Sequence, residues 1–271
     1  MTCATRYPIL LVHGAGFRDR KLLRYWGRIP KALEQRGARV YYGRQDAWGS
    51  VERNAAAVKA SLENILAGTG CEKVNIIAHS KGGLDARYMI SSLGLASRVA
   101  SLTTIASPHN GSKTVDMLCR LPGFLFKLAA FFANLFFRIA GDKKPDFYTA
   151  SRQFTTEKMA AFNERNPDAP GVYYQSYAAV MKSPFSDILM FWPCLAVGLV
   201  EGENDGLVTP ASAAWGNFRG VLHGATGRGI SHPDEVDARR MNFARRARGG
   251  GVSDIRQVYI DIVAELKEMG F

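Results

Sequence analysis

Along the first hundred residues, short continuous apolar runs alternate with longer stretches whose apolar positions recur every three or four residues. Ile9 to Val12, Arg39 to Tyr42, Val74 to Ala78 and Leu102 to Ile105 read as strands of a sheet covered on both faces, because they do not alternate polar with apolar. Between them, Tyr25 to Gln35 reads as a helix stopped by Gly37. Ser50 reads as the N-cap of a second helix, with Val51, Ala55, Val58, Leu62, Ile65 and Leu66 on one face up to Gly68. Leu84 to Leu93 gives a third helix, Leu195 to Val200 a late strand, and Asp254 to Met269 a closing helix with Ser253 as its N-cap and Gly270 as its stop. Strand, helix, strand in repetition predicts an α/β fold with a mostly parallel central sheet and helices on both faces. In such a fold the functional groups gather at the carboxyl ends of the strands.

Residues 117–140 break this pattern. Leu118, Leu121, Phe124, Leu125, Phe126, Leu128, Phe131, Phe132, Leu135, Phe136, Phe137 and Ile139 crowd a stretch interrupted by Arg120, Pro122, Lys127 and Arg138. A membrane span needs about 20 nearly uncharged residues, and Lys127 falls in the middle of this one. The segment leaves the sheet directly after a strand end, so residues 117–150 are expected to form an inserted apolar lid on a single domain spanning 1–271. Its apolar face would line an acyl-chain site or meet a lipid interface.

Composition adds little to the fold and removes some function classes. The chain of 271 residues is 47% hydrophobic and 22% charged, as expected of one folded domain without repeats. Its net charge of +11 is scattered, with one local concentration at Arg239, Arg240, Arg245, Arg246 and Arg248. No aromatic-interleaved basic motif accompanies it, so a solvated basic face is expected and no nucleic-acid partner; attraction to anionic lipid is the functional alternative. The cysteines Cys3, Cys71, Cys119 and Cys194 are far apart and lack metal-type spacing. Met1 to Tyr7 carries no cationic segment followed by a cleavable apolar stretch, so a cytoplasmic chain is expected as written, and a secreted one if a leader has been removed.

Chemistry enters at Ala78-His79-Ser80-Lys81-Gly82-Gly83, where an apolar strand breaks through a small-x-Ser-x-Gly turn into a helical pattern. That is the signature of a nucleophile elbow, in which a strained turn tolerates little bulk two positions either side of the serine. A serine hydroxyl needs an imidazole to take its proton and a carboxylate to hold that imidazole in the right tautomer, in the chain order Ser, acid, His. His13 and His79 fit backbone-defining roles, and His109 follows Ser80 too closely to leave room for the acid. His232 and His223 remain as bases. Asp205, before a glycine in the turn after the late strand, is the leading acid, with Glu201 and Glu203 as competitors. The oxyanion requires two backbone donors: Lys81 follows the nucleophile, and His13-Gly14-Ala15-Gly16 makes Ala15 the second.

Taken in order, Tyr7 to Gly14, Tyr25-Trp26-Gly27, Ala78 to Gly83, Ser107-Pro108-His109-Asn110-Gly111-Ser112, Thr156 to Asn163, Asn204 to Val208 and His232 to Val236 resemble the blocks of bacterial true lipases, the triacylglycerol lipase family of the α/β-hydrolase superfamily. The resemblance implies an α/β-hydrolase fold with a helical lid, Ser80 as nucleophile, Asp205 as acid, His232 rather than His223 as base, and Ala15 with Lys81 as oxyanion donors. It implies an apolar ester or lipid substrate, lipid-interface contact through the lid, and an acyl-enzyme; a short-chain esterase, an acyltransferase or a non-catalytic lipid-binding relative are the other readings. The chemistry requires no cofactor. Many family members hold a structural Ca²⁺ with an Asp two residues beyond the histidine. Asp234 matches that position, and Asp187 lies in the region of the second acid, although aligning its Ser-Asp pair leaves Pro184 where the family places the ligand.

Overall fold

A computed structural model describes residues 1–16, 25–120, 122–139, 141–225, 227–240 and 251–271. Six strands form one sheet in the order β2-β1-β3-β4-β5-β6, with every neighbouring pair parallel. They are β1 Ile9–Val12, β2 Val40–Tyr42, β3 Val74–His79, β4 Val99–Ile105, β5 Tyr173–Ala179 and β6 Asn217–Leu222. The helices are α1 Ile29–Glu34, α2 Val51–Thr69, α3 Lys81–Ile90, α4 Lys113–Cys119, α5 Gly123–Ile139, α6 Phe147–Arg152, α7 Thr156–Arg165, α8 Phe191–Glu201, α9 Pro210–Ala213 and α10 Ile255–Glu268.

Each central strand is buried throughout because its two sets of side chains enter two cores. Ile9 and Leu11 of β1 and Ile77 of β3 pack with Trp26, Ile29, Leu33, Tyr259 and Val263 from the α1 and α10 side. Leu10, Val12, Ile76 and Ala78 pack with Val58, Leu62 and Met89 from α2 and α3. That division explains the unbroken apolar runs.

Ser50 caps α2 by accepting from the Arg53 amide, and the helix runs past Gly68 to stop at left-handed Gly70. The N-cap of α10 is Asp254 rather than Ser253, since its side chain accepts from the Arg256 amide. The expected late strand at 195–200 is helix α8 instead. Its run Leu-Ala-Val-Gly-Leu-Val carries no period-2 alternation, and a short apolar run fits either state. The two strands that do complete the sheet, β5 and β6, were not singled out: β5 mixes Tyr, Gln and Ser, and the first three residues of edge strand β6 are exposed.

Helices α4, α5, α6 and α7 are all inserted between β4 and β5. Phe137 packs on Trp48, and Asn134 accepts from the Phe147 amide, while Phe124, Leu128, Phe131, Phe132, Leu135, Phe136 and Ile139 face solvent. Helix α4 packs on both α8 and α6, and α6 on α5. Met117 and Leu118 on α4, and Trp192 and Leu199 on α8, are exposed apolar side chains as well. No described helix is long and apolar enough to cross a membrane. Leu121 of the apolar stretch and Arg245, Arg246 and Arg248 of the basic concentration lie outside the described residues.

Candidate active site

Strand β3 hands the chain to α3 through Ser80, whose φ of 53° and ψ of −133° place a non-glycine residue in a sparsely populated region. Close packing holds it there. A Cβ on Gly82 would lie 2.4 Å from the Val12 carbonyl oxygen, and one on Gly14 would lie 2.6 Å from both Ser80 Cβ and the Tyr25 hydroxyl. Both positions therefore demand glycine, and the loop after β1 is pressed against Ser80.

The acid and base arrive from the far side of the sheet. His232 Nδ1 donates to Asp205 Oδ2 across 2.7 Å, and the His232 amide donates to the Asp205 carbonyl at 2.8 Å. Asp205 Oδ1 accepts from the Leu207 and Val208 amides, both at 2.8 Å. The Nδ1–H bond to the carboxylate fixes the imidazole tautomer and leaves the His232 Nε2 lone pair free to accept a proton. The His232 ring lies 4.4 Å, centroid to centroid, from the ring of His79, the residue before Ser80. Thus the Asp205–His232 pair lies beside the residue that precedes Ser80, at the carboxyl end of β3.

The competitors point elsewhere. Glu201 accepts from the Ser112 and Thr114 hydroxyls and the Thr114 amide, which anchors the start of α4. Glu203 is exposed. His223 lines a surface groove with Glu203, Asn204 and Leu199. His109 is buried between Thr104 and Arg87.

A second buried network engages the side chain of His79, where the sequence suggests only a backbone-defining role. His79 Nε2 donates to Glu235 Oε2 at 2.8 Å, and its Nδ1 accepts from the Tyr25 hydroxyl at 2.6 Å. The same hydroxyl accepts from the Gly14 amide at 2.9 Å. Burial, and then the neighbouring His232, push His79 well below the usual histidine range, so it is neutral. Burial first, then the charge of Asp205, push the Glu235 carboxyl well above the usual carboxylate range, so it holds its proton. The Glu235 Oε2 that receives the His79 bond also lies 3.8 Å from His232 Nδ1. The network thus links the loop after β1, through Tyr25 and His79, to the loop that carries His232. Its members stand in the His232 to Val236 and Tyr25 to Gly27 blocks, but no local periodicity reveals a contact between residues 156 positions apart.

Of the two expected oxyanion donors, Lys81 opens α3, and its side chain is buried in an ion pair with Asp85 at 2.5 Å. Burial raises the Asp85 carboxyl to about 6 despite Lys81. The Gly14 amide is committed to Tyr25, which leaves the Ala15 amide as the next donor along the loop.

The chain is 31% identical over 263 residues to "Triacylglycerol lipase 2" of Saccharomyces cerevisiae, covering 92% of this chain and 75% of the relative. It belongs to the triacylglycerol lipase family. It is also similar to a "Triacylglycerol lipase" of Vibrio cholerae, 34% identical over 240 residues, 78% of this chain and 75% of that one. The family model for "Palmitoyl protein thioesterase" matches residues 8–174. The crystal structure of Staphylococcus hyicus lipase superposes with a TM-score of 0.70 at 18% identity, covering 98% of this chain and 97% of that one. The fold is accordingly that of the α/β-hydrolase lipases.

The family's structural Ca²⁺ does not fit the residues found here. Asp187 and Asp234 do come into one cluster, but Arg228 Nη1 pairs with Asp234 Oδ2 at 2.7 Å and Arg239 pairs with Asp187. The Ser186 carbonyl, a natural ligand, accepts from Arg228 Nε at 2.6 Å. Among the described residues, the His/Cys/Asp/Glu group whose ligand atoms lie within 4.8 Å of one another is His79, His232 and Glu235. Its hydrogen bonds to Tyr25 and Asp205, and between His79 and Glu235, already engage it.

Proposed function

We propose that this carboxylic ester hydrolase acts on esters with apolar acyl chains through an acyl-enzyme on Ser80. His232 Nε2 takes the Ser80 proton as Oγ attacks the ester carbonyl carbon. The resulting oxyanion accepts hydrogen bonds from the Ala15 and Lys81 amides. Collapse expels the alcohol, which takes the proton from His232, and leaves the acyl group on Ser80. Water, deprotonated by the same imidazole, attacks the acyl-enzyme. The carboxylic acid then leaves as Oγ regains its proton.

The observation that carries this reading is the 2.7 Å bond from His232 Nδ1 to Asp205 beside a strained serine elbow. Preference for apolar chains, and contact with a lipid interface through an inserted lid at 117–150, are supported by the solvent-facing apolar side chains of α4, α5 and α8. Matching of residues 8–174 to a thioesterase model extends the same chemistry to long-chain acyl thioesters, which differ only in the leaving group. Hydrolysis of a p-nitrophenyl ester series from short to long chains, run beside Ser80→Ala, tests the proposal. Activity peaking at long chains and abolished in the variant is expected. Activity confined to short chains contradicts the apolar-substrate reading, and activity indifferent to Ser80 contradicts the mechanism.

A further inference from the structure

Two loops meet below the triad. One carries Asp187, which caps the turn at Ile188–Met190 by accepting from the Leu189 and Met190 amides at 3.0 and 3.3 Å. The other carries His232 and Asp234, and Asp234 Oδ2 accepts from both the amide and the hydroxyl of Ser231, the residue before the base. Both carboxylates are essentially excluded from solvent, at 0% and 1% side-chain exposure. Two buried negative charges drawn together this way must be neutralised.

Arg228 sits where a neutralising ion is needed. Its Nη1 reaches Asp234 at 2.7 Å, its Nη2 lies 3.9 Å from Asp187 Oδ2, and its Nε donates to the Ser186 carbonyl at 2.6 Å. Arg239, from beyond the His232 loop, pairs with Asp187 from the other side. Two carboxylates and two guanidinium groups leave no net charge to attract a divalent cation. Asp187 Oδ2 and Asp234 Oδ1 are the carboxylate oxygens with no hydrogen-bond donor, against the six to eight oxygens that Ca²⁺ takes. A planar guanidinium with several fixed donors can bridge two loops as a cation does, and needs no free ion.

We propose that Arg228, with Arg239, replaces the divalent cation at this position, crosslinking the Asp187 loop to the loop that carries the triad histidine and making the folded chain independent of calcium. The proposal stands apart from the catalytic reading, because its test reads melting rather than turnover. The full chain is melted in excess EDTA, in excess CaCl₂, and in neither, alongside Arg228→Met, which keeps the aliphatic stem and removes the charge. Calcium binding to the chelator-treated native chain is measured by titration calorimetry. The native chain is expected to melt at one temperature in all three conditions and to give no calcium-binding heat, with Arg228→Met melting lower by about 5 °C. A native chain that melts lower in EDTA or higher in CaCl₂, or that binds calcium stoichiometrically, overturns the proposal. So does an Arg228→Met chain that melts at the native temperature. If that variant does not fold, the native-chain measurements decide alone.

Discussion

His79 donates through Nε2 to Glu235 Oε2 across 2.8 Å, a bond that ties the residue before the nucleophile to the loop carrying the triad base. Both groups are buried, one neutral because protonation would strand a charge, the other neutral because ionisation would. Glu235→Gln should therefore be tolerated, since an amide oxygen can still accept from His79 and the side chain stays uncharged. Loss of no more than about 1 kcal/mol is expected, whereas Glu235→Leu, which leaves the His79 N–H unpaired, should cost about 1–3 kcal/mol. Denaturant melts of the two variants check this.

The same pair sets a pH dependence. Because the Glu235 carboxyl is raised in the fold, the stability linked to its proton is fully present below the ordinary value of 4.5 and is lost as pH rises through the elevated one. The native chain should lose melting temperature toward alkaline pH on this account. Glu235→Gln should flatten that slope. Parallel curves for the two proteins would contradict the assignment of a protonated Glu235.

Asp205→Asn should be milder than the removal of a lone triad acid, which costs about 10⁴ in turnover. Glu235 Oε2 lies 3.8 Å from His232 Nδ1. Once the Asp205 charge is gone, Glu235 ionises more readily and can hold the imidazole in its place. The double variant Asp205→Asn/Glu235→Gln should then fall to the full loss, and kcat values for the two singles and the double display the non-additivity.

Tyr25→Phe removes the hydroxyl that receives the Gly14 amide and leaves that buried donor unpaired. A stability loss of about 1–3 kcal/mol is expected. Loosening of the oxyanion loop should lower kcat about 10-fold or more while KM changes little, because the lost support acts on the transition state. A rise in KM at constant kcat would place Tyr25 in ground-state binding instead.

Phe131 and Phe136 are 63% and 60% exposed, so Phe131→Ser/Phe136→Ser should leave the melting temperature essentially unchanged. Activity on emulsified long-chain ester should fall several-fold, while hydrolysis of a dissolved short-chain ester should not change. Equal loss on both substrates would show that these rings serve the site itself rather than the interface.

What could be read from the chain divides along local and distant contacts. The elbow at Ser80 and the cap at Ser50 are settled within a few residues, and both stand where the sequence puts them. The stretch before Asp205 reads as a strand but is helix α8, while the turn Asn204-Asp205-Gly206 presents Asp205 to His232 whichever element precedes it. Glu235 and Tyr25 escaped because their partners lie on other elements and depend on β3 being central in the sheet. Likewise, the acidic residues matched to a calcium site were legible one by one, but the arginines that answer them come from opposite ends of the His232 loop.

The central claim is that Ser80 Oγ carries the acyl group. A p-nitrophenyl alkylphosphonate, which a serine hydrolase attacks but does not turn over, tests it directly. One equivalent of p-nitrophenolate per chain, with the phosphonyl mass on the peptide containing Ser80 and none on Ser80→Ala, is the expected result. Labelling of another residue, or ester hydrolysis that persists in the fully labelled protein, would contradict the account.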